Sequence, residues 1–375
     1  MRILDRYLLR ELLIPFGYCL GGFLIFWMAF DLFAMLNDFQ KAGLSLLEVA
    51  EYYLVETPGI LIIILPIALL LALLYALTNH ARYHELTAIR SAGVSLWRLS
   101  LPYFAVGLAL SLISFLISEL WVPDSADAGR RLLEAHQTGP GVLRPGEVRP
   151  LDFRNEAGGR VWHIGVYNYF TGEMFNPKVI WPAEGSWFTL NASHALRTNG
   201  IWTFFDVQEL KDSPEAGMPP IPVLQTNVLA VPEFSETLEQ IKSEIKINEI
   251  LALPGVRKTK HSDMSILDIL DYLRLHPHPS VGTRNRLYTK LQGRLAAPWT
   301  CFVVILIALP FGVPAGRRNV FVGVASSIFI GFAYFVLQQV CLALGAGGYV
   351  APWLAAWSPN LSFGLAGIWL TSRVR

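Results

Sequence analysis

Long uncharged runs alternate with short charged segments along this chain. The runs Leu12 to Phe30, Thr57 to Asn79, Leu99 to Ser118 and Leu295 to Gly316 are each near the roughly 20 residues that cross a bilayer as a helix. A further run, Asn319 to Ser372, has no Asp, Glu, Lys or Arg and is too long for one crossing. Gly345-Ala346-Gly347-Gly348 interrupts it, so it reads as two spans and a tight turn, which makes six spans in all. The first run is too long for a signal peptide and lacks a small-residue cleavage site, so it reads as a retained helix.

Between the third and fourth runs the period changes. In Val161-Trp162-His163-Ile164-Gly165-Val166 apolar side chains alternate with small or polar ones, and Asn155-Glu156-Ala157-Gly158-Gly159 before them can turn the chain, a hairpin signal. Thr198-Asn199-Gly200 before Ile201-Trp202-Thr203-Phe204-Phe205-Asp206-Val207 is a second, because Asn-Gly suits the positive φ of a tight turn. Prolines at 214, 219, 220, 222 and 232 make the following stretch loop-like. Ser265 is placed to cap a short helix through Arg274, with Ile266, Ile269, Leu270 and Leu273 on one face. The expected fold class is an α-helical membrane protein: six transmembrane helices in a 3+3 layout with an inserted β-rich domain. The expected boundaries are 1–122 for three helices, 123–264 for the β-rich domain, 265–291 for a connecting helix and 292–375 for the last three helices.

Composition supports the membrane reading. Apolar residues make up 53% of the 375 and charged residues only 16%, against about a quarter in soluble domains. With 22 Phe, 13 Tyr and 11 Trp the chain is not disordered. Thirty basic against 29 acidic residues give +1, so no global field recruits nucleic acid. The basic residues of short loops nevertheless segregate. Arg2, Arg6 and Arg10, then Arg82, Arg90 and Arg98, then Arg317 and Arg318, then Arg373 and Arg375 fall on one side of the six spans. The opposite short loops hold only Lys41, with Asp38, Glu48, Glu51 and Glu56. The expected orientation therefore has both termini cytoplasmic and the β-rich segment exported.

Enzymatic signatures are mostly missing. No Gly-Lys dipeptide occurs, so there is no P-loop and any ATP hydrolysis falls to a partner. His84-Glu85 starts a zincin-like motif, but Ala88 takes the second His position. His276 and His278 lie by prolines near a loop, and Cys19, Cys301 and Cys341 sit in apolar runs without ligand spacing. Asp31, Glu56 and Glu119 are at span ends and read as solvated interfacial carboxylates. No cofactor or metal is expected. The segment at about 80–93, between spans two and three, forms a short helix that exposes Leu86 and Ile89 on one side and Arg82 and Glu85 on another, with Gly93 as its stop. Such a helix either docks into a soluble motor or lies on lipid. Glu85 tilts the choice towards docking, since a carboxylate gains nothing from anionic lipid.

Several of these segments resemble one family in its order. The stretch Leu65-Pro66-Ile67-Ala68-Leu69-Leu70-Leu71-Ala72-Leu73-Leu74 followed by His84-Glu85-Leu86-Thr87-Ala88-Ile89-Arg90-Ser91-Ala92-Gly93-Val94-Ser95 resembles the LptF/LptG permease family of lipopolysaccharide export. Leu4-Asp5-Arg6-Tyr7 is similar to the opening of LptG-like members. Lys290 with Ala297-Pro298 and Leu309-Pro310-Phe311-Gly312 resembles the fourth span, and Trp357-Ser358-Pro359-Asn360 the last.

The resemblance implies that the insertion is a periplasmic β-jellyroll and that the protein sits in the bacterial inner membrane. It implies an LptF-like permease as heterodimer partner, an LptB-like ATPase dimer and an LptC/LptA-like periplasmic bridge that receives lipopolysaccharide. By the same resemblance the loop between spans two and three is a coupling helix, with Glu85, Leu86, Ile89 and Arg90 as its ATPase-coupling residues. Lys41, in Lys41-Ala42-Gly43, and Arg131, with Arg130 beside it, match cationic positions that meet lipid headgroups, while Ala34 and Gln40 stand where further cations would be expected. The bland alternative for Lys41 and the Arg pair is solvated charge at a membrane edge. Gly17, Gly21, Gly22, Gly323 and Gly331 either permit close approach of helices from two protomers or pack within one. Two other function classes stay open: a transmission subunit of another ABC system that moves no lipid through its own cavity, and an intramembrane hydrolase, which would need a paired carboxylate or Ser/His set.

Overall fold

The computed structural model describes residues 3–123, 125, 147–148, 151–155, 159–183, 186–212, 219–251, 264–277, 279–312 and 320–373. The chain divides into two compact units, one made of Met1–Leu133 with Val281–Arg375 and one of Glu134–Ser280.

The first unit is helical. Helix α1 (Ile3–Ala42) and helix α2 (Leu46–Arg82) form a hairpin. Its turn is encoded locally: Gly43 takes φ +67, Leu44 N–H donates back to the Phe39 carbonyl at 3.2 Å, and Ser45 with Glu48 closes a capping box on α2. Phe39, Tyr52 and Tyr53 pack edge to face over this end. Helix α2 is apolar all round, and such a helix belongs in an interior. Its Leu69, Leu73, Leu74 and Leu77 are fully buried against Leu8 and Leu12 of α1. Most of α1 faces outward instead, with Tyr18, Ile25, Phe26, Phe30 and Phe33 exposed.

The short helix α3 (Glu85–Ser91) and helix α4 (Leu96–Leu120) follow. After the insertion, helix α7 (Val281–Ala296) passes through a 3-10 turn at Ala297–Trp299 into helix α8 (Thr300–Gly312); helices α9 (Val320–Ala346) and α10 (Pro352–Arg373) complete the unit. The turn brings Thr300 N–H to the carbonyls of Ala297 and Pro298. The Ala296 carbonyl takes its hydrogen bond from the Asn360 amide at 2.7 Å, and Asn360 Oδ1 accepts from Tyr334 OH at 2.6 Å. Asn360 thus satisfies backbone at a helix break far from water. Helix α8 is pressed between α4 and α10. A Cβ on Gly107 would collide with Ile305, and one on Gly367 would lie 2.6 Å from the Leu306 carbonyl oxygen.

Among the described residues, five helices are long and apolar enough to cross a membrane: Ile3–Ala42, Leu46–Arg82, Leu96–Leu120, Val281–Pro310 and Phe329–Ala346. The sixth, α10, has 22 residues and carries its only charge among them at Arg373. Trp, Ser, Pro and Asn lower its hydropathy, yet its exposed side is apolar: Leu354, Leu361, Leu365, Ile368 and Trp369. The helix leading into span four begins at Val281, ahead of the uncharged run. The expectation for the carboxylates at span ends is overturned. Asp31 and Glu56 are not solvated but 4% and 6% exposed, and Tyr53 OH donates to Asp31 Oδ2 at 3.3 Å. Glu119 also turns inward, 3.3 Å from the guanidinium of buried Arg294.

The second unit carries the β-jellyroll-like insertion, a bent antiparallel sheet with eight strands among the described residues. These are β1 (Glu147–Val148), β2 (Leu151–Asn155), β3 (Arg160–Asn168), β4 (Met174–Ala183), β5 (Ser186–Asn191), β6 (His194–Thr198), β7 (Ile201–Lys211) and β8 (Ile221–Val231). Strands β5 and β6 both lie between β4 and β7, so they are one long strand interrupted at Ala192 and Ser193. Asn176 on β4 and Asp206 on β7 have positive φ at the same level, and Ser193 bonds to both strands there. Three neighbouring strands therefore bend along one line. Asn199-Gly200 forms the two-residue hairpin turn its sequence predicts, pairing Thr198 with Ile201. The proline-rich stretch is not all loop: β8 contains Pro222, which is tolerated because the other side of β8 pairs with no described strand. Trp162, Tyr167, Met174, Val179, Trp202 and Phe204 form the core of this unit. Phe234 and, from helix α5 (Leu238–Leu251), Ile241 and Ile245 close it. Helix α6 (Ile266–Leu275) starts at Ser265, which caps it with Asp268.

Candidate coupling site

The segment between α2 and α4 is built from local signals. Helix α2 stops at Tyr83, and His84 adopts the left-handed conformation, φ 58 and ψ 14. That single residue redirects the chain into α3. Gly93, φ 85, ends it, and the Ser95 hydroxyl caps α4 by accepting from Arg98 N–H at 3.3 Å.

Glu85, the first residue of α3, is held by two other helices. Its Oε2 accepts from Tyr7 OH of α1 at 2.9 Å and lies 2.7 Å from His80 Nδ1 of α2. A carboxylate only accepts, so Nδ1 carries the proton of this bond. The Tyr7 and His80 rings lie 5.6 Å apart, tilted. Two residues before Tyr7, Asp5 forms a forked ion pair with Arg98 of α4, both contacts at 3.2 Å. Four helices thus converge within a few residues of Glu85. His80 is 2% exposed at its side chain and Glu85 35%. Both bonds fall on Oε2; Oε1 has no partner among the described residues.

The expected exposure of α3 is corrected at Leu86. Its side chain is 3% exposed and belongs to the core shared by α1, α2, α4 and α8, with Ile89 packed against that core. A short helix over an apolar bundle end must bury one side, and the hydrophobic side goes in. The outward positions are Tyr83, His84, Thr87, Ala88 and Ser91. Arg90 is half-buried and makes no ion pair among the described residues. Tyr7, His80, Asp5 and Arg98 are the residues that sequence reasoning missed at this site. Their only signal was position, Asp5 and Tyr7 in the Leu4-Asp5-Arg6-Tyr7 opening and His80 five residues before Glu85.

Lys41 is exposed in the last turn of α1 and unpaired among the described residues. It lies about 50 Å along that helix from Tyr7. Arg130 and Arg131 lie outside the described residues. Among the described residues nothing lies within 4 Å of a Cβ placed on Gly17, Gly21 or Gly22, so these three make no close contact with the described residues; Gly331 meets Leu70 at an ordinary 3.6 Å. The side-chain surroundings of Gly323 lie outside the described residues.

A second titratable cluster is buried in the inserted unit. Glu244 of α5 accepts from Tyr272 OH at 2.9 Å and lies 3.3 Å from His276 Nε2, while His276 Nδ1 reaches the Tyr272 carbonyl at 3.2 Å. Burial pushes the Glu244 carboxyl up to about 7 against the opposing effect of the Tyr272 bond, and burial lowers His276. The distance is that of an ion pair, but both shifts favour uncharged groups. Burial thus disfavours charge on either group, while Nδ1–H donates to the Tyr272 carbonyl. His276 is thus engaged by a carboxyl and a backbone group, His278 lies outside the described residues, and among the described residues no His, Cys, Asp and Glu group could hold a metal.

Apolar helices long enough to span and an inserted antiparallel sheet define a multi-pass membrane protein with a β domain between its helices. The family model for the lipopolysaccharide export system permease LptF/LptG matches residues 6–373, and the chain belongs to that family. It is accordingly an inner-membrane component of lipopolysaccharide export and a transporter part. No individual curated protein matches the chain.

Proposed function

We propose that this chain is the LptG-like subunit of an ABC-type exporter. It pairs with an LptF-like permease, is driven by an LptB-like ATPase dimer docked on α3, and passes lipopolysaccharide from the inner membrane to an LptC/LptA-like periplasmic bridge. Both termini and α3 face the cytoplasm, as the clustering of short-loop arginines argues, and the sheet unit faces the periplasm. The observation that carries the driven-transporter reading is Glu85. It is a half-exposed carboxylate on a seven-residue helix between two spans, fixed through one oxygen and open at the other.

ATP binding in the partner moves α3, and α3 moves α1, α2 and α4 because its Leu86 and Glu85 are tied into all three. The outward face of α1, with Phe26, Phe30, Phe33 and open glycines, supplies an apolar wall for acyl chains. Lys41 at its end offers a cation to phosphate, a charge-assisted contact, with Arg130 and Arg131 as further headgroup contacts. Glu85→Lys is expected to abolish both co-purification of the ATPase and its stimulation. Normal values of both would defeat the assignment.

A further inference from the structure

The proposed contact of Glu85 with an ATPase leaves open how a flexible side chain at the edge of a membrane protein is aimed. A free glutamate would lose rotamer entropy on docking. In this structure that loss has already been taken. Oε2 is held from two directions, by Tyr7 OH at 2.9 Å and His80 Nδ1 at 2.7 Å. The two holders are fixed independently. His80 is buried, and its Nε2 has no partner among the described residues. Tyr7 stands two residues after Asp5, whose forked bond to Arg98 ties the start of α1 to α4. Leu86, next to Glu85, is locked in the core. Oε1 is left without a partner among the described residues on a carboxylate that is 35% exposed.

We infer that Tyr7 and His80 are positioning residues for coupling: they clamp Oε2 of Glu85 so that Oε1 is presented, pre-ordered, to a cationic side chain of the ATPase. This rests on the docking of α3 proposed above and adds to it the residues that set the geometry. A carboxylate accepts at both oxygens, so the clamp and an incoming guanidinium or ammonium group do not compete for one lone pair. Two donated bonds fix the carboxylate plane, and with Oε2 filled an incoming cation meets Oε1 alone, in a charge-assisted contact of set direction. The clamp also joins α1 and α2 to α3 through the very group that meets the motor. Displacement of Glu85 by the ATPase therefore pulls on both spans.

The test is a titration of the purified permease complex with the ATPase subunit, reading half-saturation of binding and stimulated hydrolysis. Tyr7→Phe removes one donor and keeps the ring on His80. His80→Leu removes the other and keeps bulk, while His80→Asn restores an N–H near the position of Nδ1. The expected result is about a tenfold weaker half-saturation for Tyr7→Phe and for His80→Leu, the size of a lost bond to a charged group. Recovery is expected in His80→Asn, and no further loss when Tyr7→Phe is added to Glu85→Gln. Three results would overturn the inference. If Glu85→Gln weakens docking and the Tyr7 and His80 variants do not, the clamp is refuted while coupling through Glu85 stands. If Tyr7→Phe weakens docking equally with and without Glu85, it acts on the fold and not through the carboxylate. If Glu85→Gln itself changes nothing, docking through Glu85 fails and the clamp with it.

Discussion

Glu85 shows how one side chain can be legible in type and illegible in setting. A carboxylate on a basic loop singled itself out in the sequence. The groups that hold it are 78 residues away in the case of Tyr7 and, for His80, across a helix end that only a left-handed residue creates. Glu244 is a second instance. The folded state favours its protonated form, so its contribution to stability is fully present below about 4.5, the ordinary value, and is lost as pH rises through about 7. The lowering of His276 acts in the opposite direction, since its neutral form is favoured and acid below its ordinary 6.5 costs stability. Glu244→Gln keeps the shape of the side chain and an acceptor for Tyr272 OH without a titrating proton. Protection of α5 amides, corrected for the base-catalysed intrinsic exchange rate, is expected to fall between pH 5 and 8 in the natural sequence, by at most roughly 2–3 kcal/mol of local stability, and not to fall over that range in Glu244→Gln, where only the opposite response of His276 is left. An equal pH response in both would refute the raised Glu244 carboxyl.

At the scale of elements, the uncharged runs marked the spanning helices because a bilayer demands an unbroken apolar stretch and little else competes with that signal. Their ends were less readable. Helix α7 begins at Val281 because helical hydrogen bonding continues beyond the lipid, where Arg284, Arg286 and Lys290 are acceptable. Strand β8 was hidden by Pro222 within it and the prolines around it, and an edge position among the described strands excuses Pro222. Close packing was also hidden, since glycine is common in spans whether or not it is needed. The structure separates the cases. Gly367→Val would force a branched side chain onto the Leu306 carbonyl and is expected to cost about 1–3 kcal/mol or more, read as a lower melting temperature of the purified protein. Gly17→Ala, whose Cβ meets none of the described residues within 4 Å, is expected to leave that temperature unchanged or slightly raised. Equal losses for both would mean that α1 packs more closely than described.

The molecule as a whole joins an apolar helical unit to a sheet unit with a separate aromatic core. Each core has its own reason to exist, so the near-neutral total charge conceals a basic set of short loops and a few exposed cations such as Lys41. The layout was readable because period, charge and turn residues change together at the insertion. The headgroup site was not: Lys41 is placed, but its suggested companions Arg130 and Arg131 lie outside the described residues. The most direct measurement is photocrosslinking of labelled lipopolysaccharide to a probe at position 41, in liposomes holding the partner permease, the ATPase and the periplasmic bridge. The expected result is a crosslink that fades when ATP is added and persists with ATP in Glu85→Lys. No crosslink at position 41, or one that fades alike in Glu85→Lys, would contradict the proposal that ATP moves this lipid past this chain through α3.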